Sequence, residues 1–322
     1  MVDLSKLKSL ATWPKLRGEI EEQVRAVLGT MPKNRAETQT KTVDEMDYHG
    51  YSRRRVNYFI EGWERVSGWL FIPEGKDEAP ALLCCHQETP YGKDEAAGME
   101  GDHRLAFAQH YAELGYVTLA TDTLGVGERR TGSQRPFDMK NYTKENTKLS
   151  AAGKMLMDHM YALDLLDEQR RVDSARIGVI GHGIGGFNAL LLAAFDERIQ
   201  ACVASCGFTR FAAQKDPAVW PPMPELLLAP KLRKCAEDEG IGFDWEHLLA
   251  LAAPSPTLIV TSMSDTPMPS PRSCDKAVKH AARIYKLLGA PGAIDHFTHQ
   301  DGYHTFTREV LEVADEWFDR WL

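Results

Sequence analysis

Three segments carry side chains that could act together on an acyl group. The first is Ile177-Gly178-Val179-Ile180-Gly181-His182-Gly183-Ile184-Gly185-Gly186-Phe187, an apolar run that enters a glycine-rich turn and leaves into a second apolar run. A strand, a sharp turn and a helix in this order expose the central residue at the tip. The first helical N–H groups there can accept developing negative charge. The central residue is Gly183, which has no nucleophile to offer. The second segment is Ser264-Asp265-Thr266, placed after the apolar run Thr257-Leu258-Ile259-Val260-Thr261, so its carboxylate sits at a strand end where it can orient a histidine. The third is Gln300-Asp301-Gly302-Tyr303-His304-Thr305-Phe306, a loop whose His304 can reach back over the sheet as a base.

The same residues admit other chemistries. Gly181, Gly183 and Gly186 satisfy G-x-G-x-x-G, the phosphate-binding turn of dinucleotide folds. That turn comes late in this chain, and the strand that follows it, residues 199–205, ends without an acidic residue to hold a ribose. No cofactor is expected. His296, His299 and His304 are close in sequence, but no carboxylate spacing suits a catalytic zinc site, and no metal is expected. Cys206 follows a strand end and could replace the missing nucleophile, but it lies on the wrong strand for the turn at Gly183.

The surrounding pattern must position these groups. Residues 1–50 read as an N-terminal helical arm, with Leu16, Ile20, Val24 and Val27 at helical spacing, Gly29 as a stop, and residues 31–50 polar and irregular. Residues 51–322 read as one domain. It begins with a hairpin of two strands, 54–60 and 66–73, turned at Glu61-Gly62. Strand and helix then alternate: strands at 81–86, 117–122, 176–181, 199–205, 256–262 and 293–299, helices at 104–114, 150–167, 276–288 and 307–322, and one opening at Gly185. Such alternation requires crossover connections and a mainly parallel sheet with helices on both faces. Residues 207–250 interrupt the alternation with Trp220-Pro221-Pro222 and apolar clusters, which suits a lid over the C-terminal edge of the sheet.

Bulk composition narrows the function. The 322 residues include 43% apolar ones and carry a formal net charge of −8, so a large core is available and no basic footprint for nucleic acid exists; Arg53-Arg54-Arg55 is too short to make one. No run approaches the roughly 20 apolar residues of a membrane span, and the start lacks the pattern of a secretory signal. Six cysteines fit no zinc module. Cys84 and Cys85, adjacent within a strand, should face opposite ways as buried free thiols, which fits the cytoplasm.

From about Gly50 onward the chain resembles the dienelactone-hydrolase and acetyl-xylan-esterase-like branch of the α/β-hydrolases. The resemblance lies in Phe243-Asp244-Trp245 with Ala252-Ala253-Pro254, in Ser264-Asp265-Thr266, Leu287-Leu288-Gly289-Ala290-Pro291 and His304-Thr305-Phe306-Thr307, and in the terminal Trp317-Phe318-Asp319-Arg320-Trp321-Leu322. Asp122-Thr123-Leu124-Gly125-Val126-Gly127-Glu128-Arg129 adds a loop of the same branch. The resemblance implies an α/β-hydrolase fold and a Ser-His-Asp site on a small-molecule ester. Gly183 would stand where serine belongs, with Asp265 as acid and His304 as base. It implies an oxyanion hole from the Ile184 N–H and from the loop Cys85-His86-Gln87-Glu88, where Gln87 replaces the usual glycine. His86, His182 and Trp220 are expected to line the substrate. Three readings of Gly183 follow: an ester hydrolase whose serine has been removed, a natural hydrolase in which His304 and Asp265 activate water, or a binding protein without catalysis. The N-terminal arm is expected either to cover the lid or to pair with a second subunit.

Overall fold

The computed structural model describes residues 2–322 apart from 33–34, 76, 131, 133, 215–239, 266–270 and 301–302. The strands are β1 (Gln39–Tyr48), β2 (Tyr51–Ile60), β3 (Glu64–Pro73), β4 (Ala79–Cys85), β5 (Val117–Thr121), β6 (Val172–His182), β7 (Ile199–Ser205), β8 (Thr257–Ser262) and β9 (Ile294–His299). They form one sheet in the order β1-β2-β3-β5-β4-β6-β7-β8-β9. The first three strands and the β3–β5 pair are antiparallel, and every pair from β5 to β9 is parallel. Parallel strands share one C-terminal edge, so β4, β6, β7 and β8 all end where a site can form. This is an α/β-hydrolase fold, with helices over both faces of a mainly parallel sheet.

Helices α1 (Trp13–Leu28), α2 (Lys93–Ala96), α3 (Phe107–Glu113), α4 (Lys140–Glu145), α5 (Ala151–Asp167), α6 (Ile184–Phe195), α7 (Trp245–Ala252), α8 (Pro271–Leu287) and α9 (Arg308–Trp321) complete the described elements. Two apolar cores, one on each face, hold the layers. One core joins α1 and α5–α8 to the sheet, and the other joins α3 and α9 to it. Cys84 belongs to the second core and Cys85 to the first, as strand alternation requires. Helix α6 is apolar on every side because it is sandwiched, with Ile184 through Ala194 all buried. Helix α9 is two-faced: Val310, Ala314, Trp317 and Phe318 are buried, and the Thr307 hydroxyl caps it by accepting the Val310 N–H at 3.2 Å.

Residues 31–50, expected to be irregular, contain β1. All ten of its residues are exposed, so this edge strand carries no apolar alternation and is held by its pairing to β2. At the next turn Glu61 and Gly62 both have positive φ, 51° and 77°, the backbone sense that a tight hairpin needs. The N-terminal arm packs on its own chain. Leu16, Ile20, Val24 and Leu28 enter the first core. The Arg283 Nε donates to the Leu7 carbonyl at 2.7 Å, and the Arg17 guanidinium donates to the Leu251 carbonyl at 3.4 Å. Most of the expected lid, including Trp220, lies outside the described residues.

Candidate active site

The turn after β6 is built by glycines that admit no Cβ. A Cβ on Gly181 would overlap the Gly185 backbone, and one on Gly185 would overlap the Cys85 carbonyl and lie 2.8 Å from that of His86. The start of α6 is thereby pressed against the loop that follows β4. Gly183 has φ 56° and ψ −123°, a conformation that glycine takes at little cost. Its N–H donates to the Ser205 carbonyl at 2.9 Å. Ile184 is the first helical residue, so its N–H lies among those without an intrahelical acceptor, at the positive end of the helix.

Asp265, just past β8, is buried, and its carboxylate oxygens lie 3.1 and 3.2 Å from His304 Nδ1. The other ring nitrogen of His304 points at the turn: Nε2 would be 2.7 Å from a Cβ on Gly183. Gly183, Asp265 and His304, far apart in the chain, therefore meet at the shared strand edge. Burial acts to lower the His304 pKa, but the Asp265 hydrogen bond, the nearby Cys206 thiol and the Glu88 carboxylate outweigh it and raise the pKa to about 12. The ring is protonated at neutral pH.

Glu88 is the residue that the sequence did not single out. Its Oε2 is 3.7 Å from His304 Nε2, and a Cβ on Gly183 would overlap it. The space above Gly183 is filled by this carboxylate. The signal was hidden because Glu88 lies 95 residues before the turn in no distinctive motif. Only the pairing of β4 with β6, which sets Cys85 beside Gly181, brings its loop over the turn.

Cys206 is also closer than its strand suggested. Register pairs His182 with Ser205, which sets Cys206 beside Gly183, and the thiol lies within 4.8 Å of a ring nitrogen of His304. Its φ of 51° is unusual for a residue with a side chain. Burial pushes its pKa up and His304 pulls it down, with burial dominant, so the thiol stays protonated at neutral pH. The ligand atoms of His182, Cys206 and His304 lie within 4.8 Å of one another, a different trio from the three histidines close in sequence. His296 is occupied elsewhere, its Nε2 lying 2.8 Å from the Thr261 hydroxyl.

Two of the residues expected to line the substrate are enclosed. His86 is 2% exposed; its Nδ1 lies 2.8 Å from the Gln87 carbonyl and its Nε2 accepts the Thr123 N–H at 3.1 Å. Burial lowers its pKa, so it acts as a neutral brace between the Gln87 loop and the Asp122 loop. His182 is fully buried, with Nδ1 2.9 Å from the Ser205 hydroxyl and its ring 4.5 Å from that of His304. Gln87 is partly exposed on the loop beside the start of α6, where its N–H could contribute to the oxyanion hole.

Behind the site, the Asp122 loop is folded around a carboxylate. Asp122 accepts the N–H groups of Lys93 and Glu128, both at 3.0 Å, and a Cβ on Gly92 or Gly127 would collide with it. Lys93, 2% exposed in its side chain, reaches Asp122 at 3.2 Å and Glu128 at 3.0 Å. The adjoining Arg129, 4% exposed, pairs with Asp158 at 2.6 Å and with Glu64, and Lys154 joins the same two carboxylates.

Residues 68–230 match the family model described as "Dienelactone hydrolase family". The chain belongs to the dienelactone hydrolase family. Among curated relatives, YtaP of Bacillus subtilis (strain 168), named as a hydrolase, is 26% identical over 95% of this chain and 100% of its own length. Among solved structures, a promiscuous CE15 esterase from a marine bacterial metagenome superposes with a TM-score of 0.77 at 16% identity, covering 98% of this chain and 94% of that one. A glucuronoyl esterase from Solibacter usitatus gives 0.75 at 16% identity, covering 97% and 94%. These neighbours share the fold. Among the described residues no helix is long and apolar enough to cross a membrane, and the five described cysteines are buried free thiols.

Proposed function

We propose that this member of the dienelactone hydrolase family hydrolyses small carboxylic esters, acetyl esters or lactones without a covalent enzyme intermediate. Water would attack an acyl group seated beside the turn at Gly183, the Ile184 N–H with the Gln87 loop would take the developing oxyanion, and the His304–Asp265 pair would carry a proton. The observation that carries this reading is the approach of His304 to Gly183 while Asp265 holds the opposite face of the ring. That arrangement has a proton-transfer group but no hydroxyl to deprotonate. A purely binding role is disfavoured by the same arrangement, because a receptor needs no histidine held by a buried carboxylate. Hydrolysis above the buffer rate in a panel of aryl acetates, alkyl acetates and lactones, with the alkyl-acetate activity lost in His304→Ala, tests it. A chain inert to the whole panel contradicts it.

A second reading takes glycine as the replacement for a serine nucleophile in an otherwise intact Ser-His-Asp enzyme. It is weakened by Glu88, whose carboxylate fills the place a serine side chain needs. Its test is the double variant Gly183→Ser with Glu88→Ala, which should form an acyl-enzyme and outperform the parent chain by at least tenfold if this second reading holds.

A further inference from the structure

We infer that Glu88 is the general base of this site and His304 its general acid, an assignment that rests on the hydrolase reading above. Three observations support it. The Glu88 Oε2 occupies the position where a side chain on residue 183 would stand. Glu88 Oε2 and His304 Nε2 are both enclosed, and neither has a hydrogen-bond partner among the described residues. They are 3.7 Å apart, too long for a direct N–H···O bond and short enough for one water to touch both. Enclosed polar atoms left unpaired are costly, so such a pair is expected at a reacting centre more than in a scaffold.

Charge divides the roles. His304 faces Asp265 on its Nδ1 side and Glu88 on its Nε2 side, with the Cys206 thiol and the neutral, buried His182 completing its surroundings. A ring flanked by two carboxylates keeps its proton, so it cannot accept one from water but can donate one. Glu88, at the place of attack, is the group left to accept.

The steps balance. Glu88 Oε2 takes a proton from water as the water oxygen bonds to the acyl carbon, and the carbonyl electron pair moves to the oxyanion. The oxyanion collapses, the acyl–alkoxy bond breaks, and the alkoxy oxygen takes the proton from His304 Nε2. The proton on Glu88 then passes to Nε2 across the gap, which restores both groups. The net reaction consumes one ester and one water and yields one acid and one alcohol.

Glu88→Gln preserves shape and removes the base. With 4-nitrophenyl acetate and with ethyl acetate it should lower kcat/KM at least about 100-fold alike, the lower end of what a general base contributes, while Glu88→Asp recovers part of the loss. His304→Ala should harm ethyl acetate far more than 4-nitrophenyl acetate, because nitrophenolate leaves without a proton. Wild-type kcat/KM should not rise with pH above neutrality and should fall as the solution approaches pH 12. If Glu88→Gln stays within threefold of wild type while His304→Ala is inert, the Glu88 role is overturned and the hydrolase reading survives. Equal losses on both esters in His304→Ala, with a rate that climbs above neutrality, would make His304 the base and overturn the assignment. Imidazole NMR of His304 gives a readout independent of turnover. A ring that titrates near 6.5 in the wild type removes the acid. A wild type inert toward both esters overturns the hydrolase reading and this assignment together.

Discussion

Two clusters of buried charge lie at the same edge of the sheet and are finished in opposite ways. Around Asp122, Lys93, Arg129, Glu64, Asp158 and Lys154 every charge meets an opposite one, and the Asp122 carboxylate also accepts two backbone N–H groups. Around His304, Asp265 is matched to Nδ1, but Glu88 Oε2 and His304 Nε2 face each other across a gap with no hydrogen-bond partner among the described residues. The paired cluster fixes the loop that His86 ties to the site. The unpaired one keeps hydrogen-bonding capacity for a reactant. Buried polarity alone marks neither scaffold nor site; here two carboxylates facing one titratable ring over the turn mark the second cluster as the reactive one.

The largest expected effect lies in the unpaired cluster. His304→Ala should lower kcat/KM for an alkyl ester by about 10²–10⁴-fold, the usual contribution of a positioned acid or base. The paired cluster should respond in the opposite manner. Arg129→Met leaves Glu64 and Asp158 short of a partner and should cost roughly 3–5 kcal/mol in urea unfolding, while specific activity of the folded fraction persists. Gly183→Ala should sit between them. It adds a Cβ at positive φ where Glu88 and His304 crowd, at about 1–3 kcal/mol, unless Glu88 swings aside. The pairing of Glu88→Ala with Gly183→Ala should therefore return part of that loss in thermal melts.

The pH dependence of stability reads the same field without a substrate. The His304 pKa in the folded chain, about 12, exceeds its ordinary 6.5, so its stabilising contribution is complete below 6.5 and is lost as pH rises from there toward 12. The stability advantage of wild type over His304→Gln should accordingly shrink between pH 7 and pH 10 in urea melts. An advantage that grows with pH would place the ring outside the field of the two carboxylates.

Much of this was legible in the sequence because local signals and global order agree. Strand–helix alternation gave the parallel sheet, and Asp265 and His304 were readable because each follows an apolar run at a strand end. Strand β1 was not readable, since an exposed edge strand held by backbone pairing has no apolar period to display. Glu88 as a site residue, and the closeness of Cys206 to the turn, were not readable for a related reason. Their proximity to Gly183 comes from β4 and β7 flanking β6, and neighbour relations in a sheet leave no mark on local spacing. His86 and His182 were expected to line the substrate because of their positions near the site. Burial and hydrogen-bond partners, which residue type does not encode, turn them inward.

Hydrolysis without a covalent intermediate is tested most directly by rapid-quench turnover of 4-nitrophenyl acetate with intact-protein mass measured at each time point. The geometry predicts catalysis above buffer, product released linearly from the first turnover, and an unchanged protein mass throughout. A stoichiometric burst accompanied by an acetyl adduct, most informatively on Cys206, would contradict it.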